Sequence, residues 1–345
     1  MSPLPSVPPE LVRQSRTARQ HDPWQPQGWC LEQEPMEAGD MASCLAMFLT
    51  GQECPFACMF CDLWQHTVMT PTPAGALPHQ VQQILYEVSC QVGRSLPSAL
   101  EPPHRVANIL PQVQIVKLYN SSNFFDPRAV PVEDYPALAA SLAGIARVVV
   151  ENHPRLCQGL VPRFRALLSG RLEVALGLET IHPELLPRLN KQMSWEDVER
   201  AVERLHRWDC DVRGFVLLGL PGLTVEECMI WAARTVSAAW DLGIRHVSLI
   251  PWRGTWGFWE RPEWQRLRPK FRPDDLYAAL TLGLEQRRGL LQLDLWDAQR
   301  WLTCPSCAEV RLQTLRTMNL RQQVLPWPQC VCDAERIERA VSEPR

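Results

Sequence analysis

Three cysteines stand close together in Cys54-Pro-Phe-Ala-Cys58-Met-Phe-Cys61, a C-x3-C-x2-C spacing. Thiols so placed bind metal. They are one ligand short of the four that a cluster of four irons and four sulfides takes from a protein, so one iron would stay open to a small molecule. The same thiols joined by Cys44 or His66 would make a zinc site, because the spacings overlap. Four further cysteines form a second group, Cys304-Pro-Ser-Cys307 and Cys330-Val-Cys332. C-x2-C with C-x-C can close a tetrathiolate site for structural zinc, and an auxiliary iron–sulfur cluster suits the same ligands. Between them runs a helix-like segment with three arginines, Arg311, Arg316 and Arg321.

The apolar run Cys44 to Leu49 directly precedes the first cysteine group, which therefore occupies a loop leaving the end of a strand. Strand-like runs then alternate with helix-like ones at Val113 to Tyr119, Ala146 to Glu151, Leu172 to Leu178, Val212 to Leu218 and Arg245 to Pro251. Val81, Ile84, Leu85 and Val88 recur at helical spacing and put one apolar face on a helix after the cysteine loop. Ser194 to Asp197 and Thr224 to Glu227 read as capping boxes that open two more helices. Six strand–helix units predict an α/β fold, a partial (β/α)6-type barrel of the TIM kind, with functional residues on the loops at the C-terminal strand ends. An open doubly wound sheet alternates in the same way, although cysteines stand where its glycine-rich phosphate loop would be.

Residues 1–40, rich in proline, arginine and glutamine and without apolar periodicity, read as a flexible or draped extension outside the core fold. Trp24, Trp29 and Cys30 hint that its later half docks. Residues 41–253 form the expected barrel, and 254–345 a Cys-rich C-terminal subdomain in which Leu290 to Trp296 reads as one more strand. Trp252, Trp256, Trp259 and Trp264 lie at this junction, as a buried aromatic cluster or as a platform for stacking a base.

With 345 residues, 46% of them hydrophobic, the chain can bury a sizeable core. No apolar run approaches a membrane span and the N-terminus lacks signal-peptide features, so a cytoplasmic location without membrane association is expected. A reducing compartment argues against reading the 13 cysteines as a disulfide framework. The formal net charge of −3 provides no general field for polyanions, so nucleic acid could bind only through a local patch.

In Cys54 to Cys61 the chain resembles the radical S-adenosylmethionine (radical SAM) enzymes. The resemblance implies a [4Fe–4S] cluster on Cys54, Cys58 and Cys61, with SAM on the open iron and Phe60 packed by the adenine. It spans roughly residues 42 to 253 and implies the same barrel. Asn120, Ser121, Ser122 and Asn123 stand where the family commonly carries a glycine-rich motif for the amino group of SAM; alone they would read as a polar turn. Glu151 and Glu179 lie at strand ends, where a carboxylate could accept from ribose hydroxyls or from substrate. Lys191 is a candidate partner of the SAM carboxylate or a solvated helix-end charge. Gly219, in Leu-Gly-Leu-Pro-Gly222, permits a tight turn near adenine, and Ile250 would lie beside it. His153, His182 and His246 lie near strand ends and are expected to be structural.

The segments Val-Lys-Leu-Tyr-Asn, Glu-Asn-His-Pro and Gly-Leu-Glu-Thr resemble a subset that includes elongator-type and archaeosine-forming enzymes. By that analogy the substrate is a tRNA nucleoside and the reductant a flavodoxin- or ferredoxin-like donor. A reading from another class is a non-catalytic zinc or iron–sulfur scaffold that binds nucleic acid or protein.

Overall fold

The computed structural model describes residues 4–17, 19–37, 39–93, 104–254, 257–330 and 332. Eight strands form one sheet in chain order: β1 (Gly28–Pro35), β2 (Met41–Phe48), β3 (Val113–Tyr119), β4 (Arg147–Asn152), β5 (Arg171–Glu179), β6 (Asp211–Leu218), β7 (His246–Pro251) and β8 (Leu290–Leu293). β2 to β8 are parallel and β1 is antiparallel to β2. Parallel strands are covered on both faces and so read as continuous aliphatic runs, such as Val148-Val149-Val150, all buried. The sheet is a partial barrel with edges β1 and β8.

Helices pack on its outer face. Ala76–Gln91 buries Val81, Ile84, Leu85 and Val88, as its periodicity requires. Both capping boxes form, opening helices Trp195–Arg207 and Val225–Asp241. Among the described residues, no helix is long and apolar enough to cross a membrane.

Two features differ from the sequence expectation. The extension assigned to residues 1–40 contributes β1 to the sheet, and Leu4, Val7 and Val12 are buried against Ala57, Met59 and Trp64 of the cysteine loop region. Periodicity misses β1 because the residues it turns into the barrel are charged. Glu34 takes both Nη atoms of Arg213 at 2.7 and 2.8 Å, and Arg213 Nε reaches Glu173 at 3.1 Å. Lys117 pairs with Glu32 at 2.6 Å and with Glu34. This charged layer lies among the apolar residues Cys44, Ile115, Val149 and Ala175, with Val149 in register with Lys117 and Glu173, and Ala175 with Arg213. The second difference is at β8, which is shorter than the expected Leu290 to Trp296 and joins the same sheet beside β7.

Candidate cluster and cofactor site

The loop after β2 carries Cys54, Cys58 and Cys61 at the C-terminal end of the strands. It is tied down from three directions. Met59 N donates to Leu189 O at 3.1 Å, and Trp259 Nε1 donates to Met59 O at 2.6 Å. From the N-terminal extension, Arg13 reaches Pro55 O at 3.0 Å while Arg16 and Arg19 both pair with Glu53. Cys58 is buried and its partners are half-buried, and each of Cys54 and Cys61 contributes to the electrostatic environment of Cys58. Burial pushes all three thiols up, Cys61 to about 12 and Cys58 well above the usual range. Thiols so desolvated ionise only when a cation compensates them, which is what a metal centre does. Asn123 Nδ2 donates to Cys54 Sγ at 3.0 Å.

Neither alternative zinc ligand lies at this loop's thiols. Cys44 is buried inside the barrel in the field of Lys117 and Glu34, and His66 is exposed beside His21, with ring centroids 6.5 Å apart.

The loop after β3 bends sharply at Ser121, whose φ is +56°. Asn120 and Ser122 are buried, yet Asn120 Nδ2, Asn120 Oδ1 and Ser122 Oγ find no partner. Glu151 at the end of β4 faces the amides of Asn120, Ser121 and Ser122, and its Oε1 is buried and unpaired. Burial raises this carboxyl to about 7, although those amides oppose the shift.

Lys191 is no solvated helix-end charge. It is buried, pairs with Glu179 and donates to Gly177 O at 2.7 Å. A β-bulge between Gly177 and Glu179 makes room, with Glu179 at φ +61°, and a methyl at Gly177 would overlap both charged groups. Phe60 connects this pair to the β7 end: its ring lies 6.0 Å from Lys191 Nζ and 6.0 Å from the Trp252 ring. Gly219, at φ +97°, turns beside Trp252 and Phe271, and Ile250 is partly buried in the same apolar cluster as Phe60.

The three histidines are structural. His153 bonds Lys191 O at 2.9 Å and stacks on Phe56 at 3.8 Å. His182 Nδ1 accepts from Glu184 N at 3.2 Å, and His246 Nε2 meets Gln292 Oε1 at 2.6 Å. Burial, then the positive charge of Lys191 or Arg213 respectively, holds His153 at about 3 and His246 at about 4, so both are neutral. Trp252 and Trp259 are buried and make edge contacts with each other and on to Trp264, at centroid distances of 4.9 and 5.2 Å, a core cluster and no open platform. Trp256 lies outside the described residues.

The second cysteine group also assembles. The sulfurs of Cys304, Cys307, Cys330 and Cys332 all lie within 4.8 Å of one another, a set that could bind a metal. Sequence reasoning singled out Asn123 and Trp259 but not their contacts with Cys54 and Met59, and it missed Phe56 under His153 and the arginine tether. Only the last left a signal, in the even spacing of Arg13, Arg16 and Arg19.

A partial parallel barrel with a thiol-bearing loop at its C-terminal mouth defines a class of protein in which that loop carries the chemistry. The sequence profile of the Radical SAM superfamily matches residues 48–230, more than half of the 345. The chain belongs to the radical SAM superfamily, whose members are built around a [4Fe–4S] cluster and SAM. It is similar to an uncharacterized protein of Methanocaldococcus jannaschii, 23% identical over 141 residues that cover 39% of each chain. It is also similar to the GTP 3',8-cyclase of Gloeobacter violaceus, 25% identical over 134 residues that cover 38% of this chain and 40% of that one. The match thus spans well under half the length of these curated relatives. Among solved structures, methylornithine synthase covers 86% of this chain and 82% of its own with a TM-score of 0.47 at 14% identity. A radical SAM methyltransferase from Sphaerobacter thermophilus covers 79% and 77% with a TM-score of 0.46 at 14% identity.

Proposed function

We propose that Cys54, Cys58 and Cys61 ligate three irons of the cluster and that SAM lies across the barrel mouth on the loops after β3 to β7. In this reading Phe60 and Ile250 flank the adenine and Gly219 lets backbone approach it. Asn120, Ser121 and Ser122 face the methionine end, while Glu151, Glu179 and Lys191 serve the ribose hydroxyls and the carboxylate. The observation that carries the reading is the group of buried polar atoms without partners on Asn120, Ser122 and Glu151. Left unmet they cost free energy, and a polar ligand satisfies them. When bound, the cluster and SAM would supply a 5'-deoxyadenosyl radical, one electron from a flavodoxin- or ferredoxin-like donor cleaving the sulfonium with release of methionine. The chain's part is to hold the loop rigid through Met59 and Glu53, to position Lys191 by Glu179 and Gly177, and to shield the mouth from water. A cytoplasmic location fits the reducing chemistry.

The substrate we propose is a tRNA nucleoside. Support comes from the three strand-end segments that resemble tRNA-modifying enzymes, and from Trp296 beyond the end of β8. Trp296 is 63% exposed and 6.0 Å from the Phe48 ring, an aromatic face on which a base can stack. The test is incubation of the reconstituted protein with SAM, dithionite and bulk tRNA, followed by mass spectrometry of the nucleosides. A nucleoside whose mass changes with wild type and not with Cys58→Ala is expected; no altered nucleoside while SAM is cleaved would overturn the substrate.

A further inference from the structure

The sheet has two edges, β1 and β8, and the helix Ala308–Arg321 packs against both. An edge strand leaves every second residue with an unpaired N–H and C=O. On β8 the helix meets them with side-chain amides. Asn319 accepts from Leu293 N at 2.8 Å and donates to Leu293 O at 2.8 Å. Gln322 repeats the pattern at Leu291, again at 2.8 and 2.8 Å. The two amides stand in for a neighbouring strand, so the edge is closed only while this helix keeps its position.

What holds its start is the second cysteine group. Cys307 immediately precedes the helix, and its carbonyl accepts from Arg311 N at 3.0 Å. The chain beyond the helix returns to this end. Trp327 stacks on Tyr277 at 4.8 Å and donates to Asp274 at 2.7 Å, and the buried Arg311 clamps Pro328 O at 3.1 and 3.0 Å. That return brings Cys330 to 4.0 Å from Cys304 and Cys332 to 3.7 Å from Cys307, sulfur to sulfur. A single tetrahedral ion with metal–sulfur bonds of about 2.3 Å sets its ligands about 3.8 Å apart. Sulfurs on different irons of a cluster stand farther apart, by the width of the cluster itself.

We infer that Cys304, Cys307, Cys330 and Cys332 hold one zinc ion in a closed tetrathiolate site that fixes the helix sealing the β8 edge. The four thiols lose their protons as the ion binds, and no electron is exchanged. The inference is independent of what the barrel mouth acts on. Its test is a metal count on full-length protein purified anaerobically from zinc-replete cells, with hydrogen exchange as a second reading. Wild type should carry one zinc per chain besides its iron. Cys304→Ser/Cys307→Ser should lose the zinc and keep the iron, and Leu291 and Leu293 amides should exchange at least about tenfold faster. Should the variant not fold, removing zinc from wild type with a strong chelator should give the same exchange. Wild type without zinc, additional iron and sulfide in its place, or unchanged exchange after zinc is lost would each overturn the inference.

Discussion

Glu151 keeps one carboxyl oxygen, Oε1, out of water before any ligand arrives. Its ordinary value of 4.5 rises to about 7, and burial is the cause. As pH climbs from 4.5, the unfolded chain ionises this group first while the folded chain retains its proton. Stability from this residue is therefore present in acid and falls until pH passes about 7, by on the order of 3 kcal/mol. Glu151→Gln, neutral throughout, should lack that slope in the SAM-free protein. Urea denaturation at several pH values between 5 and 8 should show the variant gaining on wild type as pH rises; parallel curves would mean that the carboxyl is solvated. Lys191 and Glu179 are poised differently, since each is the other's counter-charge and a ligand must share them.

At the scale of elements, β1 matters more than its place at the start of the chain suggests. It delivers Glu34 to Arg213, 179 residues away, and the pair lies in a layer with Glu173 and Lys117. Arg213→Met should destabilise the fold by about 3 to 5 kcal/mol, because Glu34 is left with Lys117 alone and Glu173 with the 3.6 Å contact to Arg147, both still buried. Chemical denaturation reads this directly, and a loss below about 1 kcal/mol would show that water enters the layer. The same chemistry explains which elements were legible. β3 and β7 were found to within a residue because apolar residues dominate their runs, although Lys117, His246 and Ser248 interrupt them. β1 was not, because an inward Glu looks like a solvent-facing one until Arg213 is folded beside it. The three thiols declared themselves by spacing alone. The contacts of Asn123, Phe56 and Trp259 could not, since Trp259 meets Met59 across 200 residues of chain and nothing local records that contact.

For the whole molecule, the sheet, the thiol loop and the tethers from both ends of the chain converge on one mouth. The N-terminal arginines and Trp259 brace the loop from opposite ends, so the segments read as peripheral in the sequence are parts of the site's frame. The fold class could be expected from residue order; the buried polar atoms and tethers around the thiol loop could not. In the function proposed above, this mouth cleaves SAM at a cluster on Cys54, Cys58 and Cys61. The most direct measurement is the yield of 5'-deoxyadenosine after anaerobic reconstitution with iron and sulfide, with SAM and dithionite added. Wild type should produce it and Cys58→Ala should fall to the no-enzyme background. An equal yield from Cys58→Ala, or none from wild type loaded with its iron, would contradict the account.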